Sequence, residues 1–368
     1  MTRVPPRRAG RAFGRVLAAL LVLAVATAAG AALVAARVRR PFKAYDRAER
    51  FVEIPRGASV PAIATVLAGA GIVPDPLTFR IAVRVLGADR TLKAGEYRFT
   101  RPLSPLEVAA TVARGEVYLR TVTFPEGLTI VEMARVYEAR GLGGAQAFVA
   151  AARDASAIGD LDSRAADLEG YLFPDTYALP RSATARDLTQ QMVTRFRDVF
   201  GRAAIGRLGG RTVRQVVTLA SLVEKETALP DERGIVAGVY ANRLRIGMGL
   251  QCDPTVIYAL ARAGRYAGNL TRADLALDSP YNTYRYAGLP PGPIASPGKA
   301  ALEAALQPAE VPYLYFVSRN DGGHVFAATL EEHNRNVQRY QVEYFRAPRD
   351  RERVPGGAAA PPPRSEHP

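Results

Sequence analysis

The chain contains very few of the residues that form disulfides or bind transition metals. Its 368 residues include one cysteine, three histidines and no tryptophan. Cys252 has no second thiol to pair with, so the fold must depend on its apolar core even in an oxidising compartment. Cysteines and histidines this scarce give no ligand spacing typical of zinc or haem sites. The sequence therefore predicts neither a metal centre nor a bound cofactor.

Positive charge is scarce in the body of the chain, although the formal net charge is +14. Residues 1–40 carry eight arginines and no acid, and residues 346–368 carry five arginines against three acids. The remaining residues hold 36 basic and 32 acidic side chains. Much of the excess charge therefore flanks a hydrophobic run, which favours a membrane surface and excludes a basic nucleic-acid groove.

That hydrophobic run, from Val16 to Ala36, is the only one long enough to cross a membrane. Its 21 residues lack charge, and at about 1.5 Å per helical residue they span a hydrocarbon core of about 30 Å. A cleaved signal peptide is the alternative, but its apolar region usually has only about 7–15 residues. We predict a basic tail at 1–15 and an uncleaved single-pass helix at 16–36. The flanking charges lean only slightly towards a cytoplasmic N-terminus.

The rest of the chain is long enough for about two domains with a sizeable core. Residues 346–368 are dense in proline, glycine and alanine and lack periodicity, which predicts a disordered tail. Residues 52–64 resemble residues 122–134 at a constant offset of 70. Each copy predicts a strand, a Pro-x-Gly turn, a Ser or Thr helix cap and an amphipathic helix, and residues 92–99 predict a returning strand. Duplication and convergence explain this similarity equally well.

A helix that begins near Thr212 holds the most informative acid of the chain. Thr212 and Gln215 have the spacing of a capping box. Rotation by about 100° per residue places Glu224 within an apolar stripe and Glu226 about 160° away from it. An acid on an apolar face either pairs with a cation, such as Arg233 or Arg243, or stays protonated near neutral pH for use as a general acid. The pattern alone leaves both readings open.

Several motifs occur in a fixed order, the first of them at the end of this helix and the others after it. They are Ala220-Ser221-Leu222-Val223-Glu224-Lys225-Glu226-Thr227, Asn242-Arg243-Leu244-Arg245-Ile246-Gly247-Met248, Leu250-Gln251-Cys252-Asp253-Pro254-Thr255-Val256, Tyr281-Asn282-Thr283-Tyr284, Gly288-Leu289-Pro290-Pro291-Gly292-Pro293-Ile294, Pro312-Tyr313-Leu314-Tyr315-Phe316-Val317 and Gly322-Gly323-His324-Val325-Phe326. In order and spacing the chain resembles the endolytic murein transglycosylases, the YceG-like family, from the anchor to about residue 340. Cys252 departs from the resemblance, since the family usually has Thr or Ser there.

The resemblance implies an α+β protein: an N-terminal transmembrane helix, a small LysM-like βα subdomain at 48–115 and an α+β catalytic domain at 120–345. It implies a lyase that cleaves the β-1,4 bond between N-acetylmuramic acid and N-acetylglucosamine within nascent peptidoglycan strands. The products end in 1,6-anhydro-muramic acid, and cleavage terminates strand elongation. The implied location is the inner membrane, with a cytoplasmic N-terminus and a periplasmic catalytic domain. Glycan strands are the implied partner, and peptidoglycan synthases are candidate partners.

The family's essential glutamate corresponds to Glu224. The candidate substrate contacts are Gln251, Asp253, Thr255, Tyr281, Asn282 and His324. For each of them a structural hydrogen bond is the alternative, and Asp253-Pro254 also suits the cap of a helix that begins at Thr255. Glu226 lies on the wrong helix face to share the site with Glu224, so we expect it to be a supporting residue.

One carboxyl group suffices for the implied reaction, because the C6 hydroxyl of muramic acid replaces water as the nucleophile. Glu224 would protonate the glycosidic oxygen and then accept the C6 hydroxyl proton. Two rival functions remain open. One is a two-carboxylate muramidase, with Asp253 or Glu226 as the second acid. The other is a non-catalytic peptidoglycan-binding scaffold.

Overall fold

The computed structural model describes residues 9–346, with the backbone alone for residues 9–14. Residues 1–8 and 347–368, which include most of the predicted disordered tail, lie outside the described residues. The described chain is α+β, as predicted, and its named strands form three two-stranded sheets. It divides into two compact units. The first extends to Thr121 and includes Ala178–Ala183, and the second comprises Val122–Tyr177 and continues from Thr184.

The first unit follows the order helix, strand, helix, helix, strand, helix. Its elements are α1 (Ala9–Arg39), β1 (Arg50–Ile54), α2 (Val60–Gly69), α3 (Pro76–Leu86), β2 (Gly95–Phe99) and α4 (Pro105–Arg114). β1 and β2 pair antiparallel, so residues 92–99 do contain the predicted returning strand. Alternate strand residues face inward, and Val52, Tyr97 and Phe99 join a core with the buried faces of α2, α3 and α4.

The long N-terminal helix α1 is the one described helix that is long and apolar enough to cross a membrane. The apolar span covers Arg15–Arg39, and none of its most apolar stretch is buried in protein. This agrees with a single-pass anchor and extends the predicted span of residues 16–36 by a few residues. At the end of α1, Arg37 donates to the Asp75 carboxylate at 2.7 Å, and this contact lowers the pKa of Asp75 to about 2.

The two similar segments share the predicted local structure. β3 (Arg120–Thr123) and α5 (Ile130–Ala139) form the second copy, and β3 pairs with β4 (Thr176–Leu179). Ser59 and Thr129 both cap their helices through the side chain. Gly57 and Gly127 both adopt positive φ, at 75° and 76°, a conformation that favours glycine. The second copy therefore turns sharply just before α5.

The second unit is mainly helical around α8. Its helices are α5, α6 (Ala145–Ala152), α7 (Ala185–Ala204), α8 (Val213–Glu226), α9 (Pro230–Arg245), α10 (Asp253–Arg262), α11 (Lys299–Leu306) and α12 (Leu330–Val337). α11 packs on α7, α8 and α9, and residues 216–223 of α8 are all buried. The antiparallel strands β5 (Tyr315–Ser318) and β6 (His324–Ala327) complete the unit, followed by a π-helical turn (Gln338–Glu343) and Tyr344–Arg346.

The start of α10 corrects one prediction. The helix begins at Asp253 and not at Thr255, and Cys252 occupies the cap position without a side-chain cap bond. Pro254 therefore lies within the first turn, where its missing N–H leaves no helical bond unmade. Asp253 is an acid in this first turn, where the helix dipole favours negative charge.

Candidate active site

The helix that carries Glu224 is built as the sequence predicts. Thr212 and Gln215 form the capping box, each side chain accepting from the other residue's backbone N–H. The helix then runs through the core and brings Glu224 to the end of its apolar stripe, two residues before the helix ends at Glu226. The Glu224 side chain is only 7% exposed. Its predicted position on a buried face is confirmed.

The Glu224 carboxyl group lies among opposing electrostatic influences. Burial is the largest, and together with the nearby Glu126 charge it raises the pKa of Glu224 above its ordinary value. The Gly298 backbone N–H donates to Oε2 at 3.0 Å, and an Arg233 guanidinium nitrogen lies 3.8 Å from Oε1. The Gly298 N–H donor and the charges of Arg233 and Lys225 lower the pKa of Glu224 and partly offset the effect of burial. Glu224 can therefore hold a proton. Once it has released that proton, its carboxylate is stabilised by the Gly298 N–H and the neighbouring cations.

Arg233 resolves one question that the helix pattern leaves open. Of the two predicted cationic partners, Arg233 lies beside Glu224, whereas Arg243 donates to the Leu314 and Leu250 carbonyl oxygens at 2.6 Å each. The Arg233 contact is longer than a hydrogen bond, and burial outweighs it in the pKa of Glu224. Glu224 therefore has a cation nearby, as the first interpretation expects, and its protonated form is still favoured, as the second expects.

Glu126 is a second carboxylate at this site, and the sequence reasoning missed it. It lies in the sharp turn before α5, is 46% exposed, and approaches the same Arg233 nitrogen at 3.9 Å. The two carboxylate oxygens near that nitrogen are therefore at most about 8 Å apart. A Cβ atom at Gly298 would overlap the Glu126 carboxyl group. The aligned residue of the first copy is Arg56, so comparing the two copies could have singled out Glu126.

Backbone contacts hold the Glu126 turn against Glu224. Gly127 donates to the Ser296 carbonyl oxygen and Ser296 donates to the Leu128 carbonyl oxygen, both at 2.9 Å. The Lys225 ammonium donates to the Gly127 carbonyl oxygen at 3.1 Å. The arrangement joins the turn before α5, the end of α8 and the segment before α11. It is a half-open site with one buried acid, one exposed carboxylate and one guanidinium.

Glu226 belongs to a different cluster, on another side of α8. The Tyr240 hydroxyl donates to it at 2.7 Å, and the Cys252 thiol is also hydrogen-bonded to it. Burial raises the pKa of Glu226. The thiol therefore supplies the donor for which the sequence suggested a hydroxyl. These contacts match the expected supporting role of Glu226.

Two of the predicted substrate contacts have their side chains occupied inside the fold. Thr255 is fully buried and donates to the Cys252 carbonyl oxygen at 2.7 Å. Asn282 is also fully buried, and its amide donates to the Leu275 and Leu277 carbonyl oxygens at 2.9 and 2.7 Å. For both residues these bonds favour the structural alternative that the sequence left open.

The other four predicted contacts are more accessible, and the contacts observed for them are with residues other than Glu224. Gln251 and Asp253 are exposed, and Asp253 accepts from the Tyr284 hydroxyl at 2.5 Å. Tyr281 packs its ring on Tyr258, with centroids 5.1 Å apart. His324 pairs through Nδ1 with a carboxylate oxygen of Glu232 at 2.7 Å. Glu232 is the residue before Arg233 in the chain. Their role in substrate binding stays a prediction. In the described part of the chain, no group of three His, Cys, Asp or Glu residues is arranged to hold a metal ion.

Comparison with known proteins identifies relatives over most of the chain. A sequence profile of the YceG-like family matches residues 52–339. The endolytic murein transglycosylase of Bacillus subtilis (strain 168) is 31% identical over 328 residues, which are 84% of this chain and 90% of that protein. The protein of the same name from Streptococcus pneumoniae serotype 2 (strain D39 / NCTC 7466) is 32% identical over 330 residues. The match covers 81% of this chain but only 59% of the pneumococcal protein.

A solved structure shares the fold. The crystal structure of a YceG-like protein from Listeria monocytogenes superposes with a TM-score of 0.54 at 32% sequence identity. The superposition covers 78% of this chain and 99% of the Listeria chain.

Proposed function

This chain belongs to the YceG-like family, and we propose that it is a membrane-anchored lyase that cleaves peptidoglycan glycan strands from within. The observation that carries the proposal is the buried Glu224 carboxyl group, whose pKa is raised beside an exposed carboxylate and a guanidinium. Curated relatives that bear the name endolytic murein transglycosylase support the same reaction class. The proposed bond is the β-1,4 link between N-acetylmuramic acid and N-acetylglucosamine.

The first step requires a protonated acid. Burial and the Glu126 charge favour neutral Glu224, which then donates its proton to the glycosidic oxygen as the bond to C1 breaks. Positive charge develops on the muramic acid ring at this point. The half-exposed Glu126 carboxylate is available to stabilise it, and the substrate's own N-acetyl group can assist.

The second step requires a base at the same position. Glu224 is now a carboxylate, stabilised by the Gly298 N–H at 3.0 Å and by Arg233 at 3.8 Å. It accepts the proton of the muramic C6 hydroxyl as that oxygen bonds to C1. The bond to the leaving sugar is replaced by the 1,6-anhydro bond, the proton count balances, and no water is consumed.

A two-carboxylate muramidase is the second candidate, and Glu126 is the observation that favours it. Its oxygen is at most about 8 Å from a Glu224 oxygen, within the range in which a second carboxylate of a glycosidase attacks C1 or activates water. Neither residue suggested by the sequence suits this role as well: Glu226 bonds Tyr240 and Asp253 bonds Tyr284. The two candidates differ in their product, since only the hydrolase adds water.

The anchor and the first unit suggest where the reaction occurs. α1 supports a single-pass membrane anchor, for which we propose the inner membrane, a cytoplasmic N-terminus and a periplasmic catalytic unit. The strand, helix, helix, strand order of residues 50–99 supports a LysM-like glycan-binding role. Cleavage close to the membrane would terminate elongation of nascent strands, next to the synthases that make them.

The test of catalysis is the full-length Glu224→Gln variant in detergent, assayed on isolated glycan strands. Glutamine keeps the shape but carries no transferable proton, so we expect cleavage to fall by a factor of at least about 100. The matched control is Glu310→Gln, because Glu310 is exposed and lies before β5. Equal cleavage by wild type and Glu224→Gln would exclude Glu224 from the mechanism, whereas no cleavage by either protein would favour the scaffold function.

A further inference from the structure

A cavity that does not include Glu224 lies in the second unit. Its volume is about 810 Å³, and its walls are α8, α9 and the segment 288–291, with two arginines from preceding loops. Gln215 and Leu219 line it from α8. At about 100° per residue these two side chains point about 180° and 140° away from Glu224. The cavity is therefore a separate feature on the opposite face of the catalytic helix.

All the charged side chains that line this cavity are arginines. They are Arg164, Arg211, Arg214 and Arg245. Arg214 pairs with buried Asp162 at 2.8 Å, whereas Arg211 donates to the Ala305 and Leu306 carbonyl oxygens at 2.6 and 2.7 Å. Carbonyl oxygens position a guanidinium without cancelling its charge.

Two of these arginines are free to reorient towards a ligand. Arg164 and Arg245 are exposed, and Arg245 is held only by the Asn242 side-chain oxygen at 3.1 Å among the contacts recorded for its guanidinium. Among the described residues only Arg214 of these four arginines is paired with an acid, so the cavity has a positive potential. Such a cavity attracts an anionic ligand.

A buried hydroxyl group in the cavity wall also points to a ligand. Thr218 is 1% exposed and lines the cavity, and its Oγ1 has no hydrogen-bond partner among the described residues. A buried polar atom without a partner is costly, and most such atoms in folded proteins are satisfied. A ligand with hydrogen-bonding groups would satisfy Oγ1.

The remaining walls are apolar. Leu219, Leu244, Leu289 and Pro290 line the cavity beside the arginines. Guanidinium groups and small apolar surfaces within one cavity suit a ligand that carries carboxylates and methyl groups a few ångströms apart. A short acidic peptide rich in alanine has this composition.

We propose that this cavity binds the acidic stem peptide that muramic acid carries in peptidoglycan. The proposal rests on the proposed function, because that function brings glycan strands with their peptides to the protein. Five extended residues reach at most about 17 Å, so the peptide can extend well away from the muramic acid that carries it.

The segment 288–298 joins the cavity to the catalytic site. Arg214 donates to the Pro291 carbonyl oxygen at 2.6 Å, and Ile294 donates through its N–H to the Ser221 hydroxyl at 3.1 Å. The segment then ends at Gly298, which donates to Glu224. A bound peptide would hold one end of the segment whose other end contacts the catalytic acid.

The test measures peptide binding directly, in the absence of glycan. The full-length protein in detergent is titrated calorimetrically with L-Ala-γ-D-Glu-L-Lys-D-Ala-D-Ala and with the analogue whose glutamate α-carboxylate is amidated. We expect the acidic peptide to bind, and the double variant Arg164→Gln/Arg245→Gln to weaken it at least tenfold. Amidation should weaken it several-fold. The matched control is Arg202→Gln, an exposed arginine in the last turn of α7.

A second variant tests the unpartnered hydroxyl without removing charge. Thr218→Val keeps the side-chain shape, so we expect it to fold and to bind the acidic peptide several-fold more weakly. Weaker binding in either variant, with Arg202→Gln unchanged, supports the proposal. No peptide binding by wild type, or equal binding by wild type and both variants, overturns it. Vesicles of anionic phospholipid that displace the peptide from wild type would also overturn it, in favour of a lipid site.

The outcome is separable from the proposed function. A protein that binds the peptide through these arginines but cleaves no glycan would refute the enzyme and keep the peptide site. A protein that cleaves glycan but binds no peptide would do the reverse. In cleavage assays, the ratio of KM on peptide-bearing strands to KM on peptide-free strands should rise in the double arginine variant.

Discussion

Replacing Glu126 by glutamine tests how the site keeps Glu224 protonated. The Glu126 charge is one of the influences that raise the pKa of Glu224. Both carboxylates also share Arg233, at 3.9 and 3.8 Å. Glu126→Gln removes a negative charge and leaves Arg233 to Glu224 alone. Both effects favour the Glu224 carboxylate and should lower its pKa.

The size of the shift follows from the separation. For two unit charges about 8 Å apart, an effective dielectric constant of 20–40 gives about 1–2 kcal/mol. Glu126 is 46% exposed, so solvent screening reduces this further. A shift of about 0.5–1 pH unit remains, since one unit corresponds to about 1.4 kcal/mol.

The assay is the pH dependence of kcat/KM on isolated glycan strands. Activity requires protonated Glu224, so it falls as the pH rises through that pKa, and Glu126→Gln should move this alkaline limb down by about 0.5–1 unit. Glu126→Asp keeps the negative charge and should displace the alkaline limb less than Glu126→Gln does. Glu310→Gln should leave the pH profile unchanged. An unmoved limb would refute the electrostatic coupling. A partial fall in activity at every pH would reflect the lost stabilisation of positive charge on the sugar ring, whereas complete loss would show that Glu126 acts as a nucleophile or base.

Substitutions at three further positions test other features of the second unit. Burial raises the pKa of Glu169 to about 8. Between about pH 4 and pH 8 the folded protein therefore keeps a proton on Glu169 that the unfolded chain releases. The contribution of this proton to the free energy of unfolding is complete below about pH 4 and is lost as the pH rises to about 8. Glu169→Gln should remove this loss, which amounts to about 4–5 kcal/mol in the free energy of unfolding. Cys252→Ser keeps a donor to Glu226 and should change stability by less than about 1 kcal/mol, whereas Cys252→Val should cost about 1–3 kcal/mol. Gly298 has a φ of −76°, which alanine also adopts, so Gly298→Ala should fold. Its added methyl group would displace the Glu126 carboxyl group, and it should therefore move the pH profile as Glu126→Gln does.

Each of these three has its own measurement. Denaturant unfolding at pH 5 and pH 8 reports on Glu169, and an equal pH dependence in wild type and Glu169→Gln would contradict its buried protonation. Thermal unfolding compares the two Cys252 variants, and equal stability of serine and valine would rule out the bond to Glu226. For Gly298→Ala, an unchanged pH profile would mean that Glu126 does not act from its observed position.

Local sequence signals predicted the parts of the fold that depend on neighbouring residues. The capping box at Thr212, the paired turns at Gly57 and Gly127 and the strand ending at Phe99 are all present. The placement of Glu224 on a buried stripe also followed from helical periodicity alone. In each case the cause lies within a few residues of the chain, so the sequence was sufficient.

The surroundings of Glu224 could not be read in the same way. Glu126 and Gly298 lie 98 and 74 residues from Glu224 along the chain, and only tertiary packing brings them together. The resemblance directed attention to Thr255 and Asn282 because they belong to recognisable motifs, yet their polar groups are occupied inside the fold. A motif identifies residues that matter without separating those that support the fold from those that contact substrate.

The fate of water during cleavage distinguishes a lytic transglycosylase from a hydrolase most directly. Glycan strands are digested in water enriched in ¹⁸O by the full-length wild type and by Glu224→Gln, and the new ends are analysed by mass spectrometry. We expect 1,6-anhydro-muramic ends without ¹⁸O from the wild type and no new ends from Glu224→Gln. Reducing muramic ends that contain ¹⁸O would contradict this expectation and would establish a hydrolase instead.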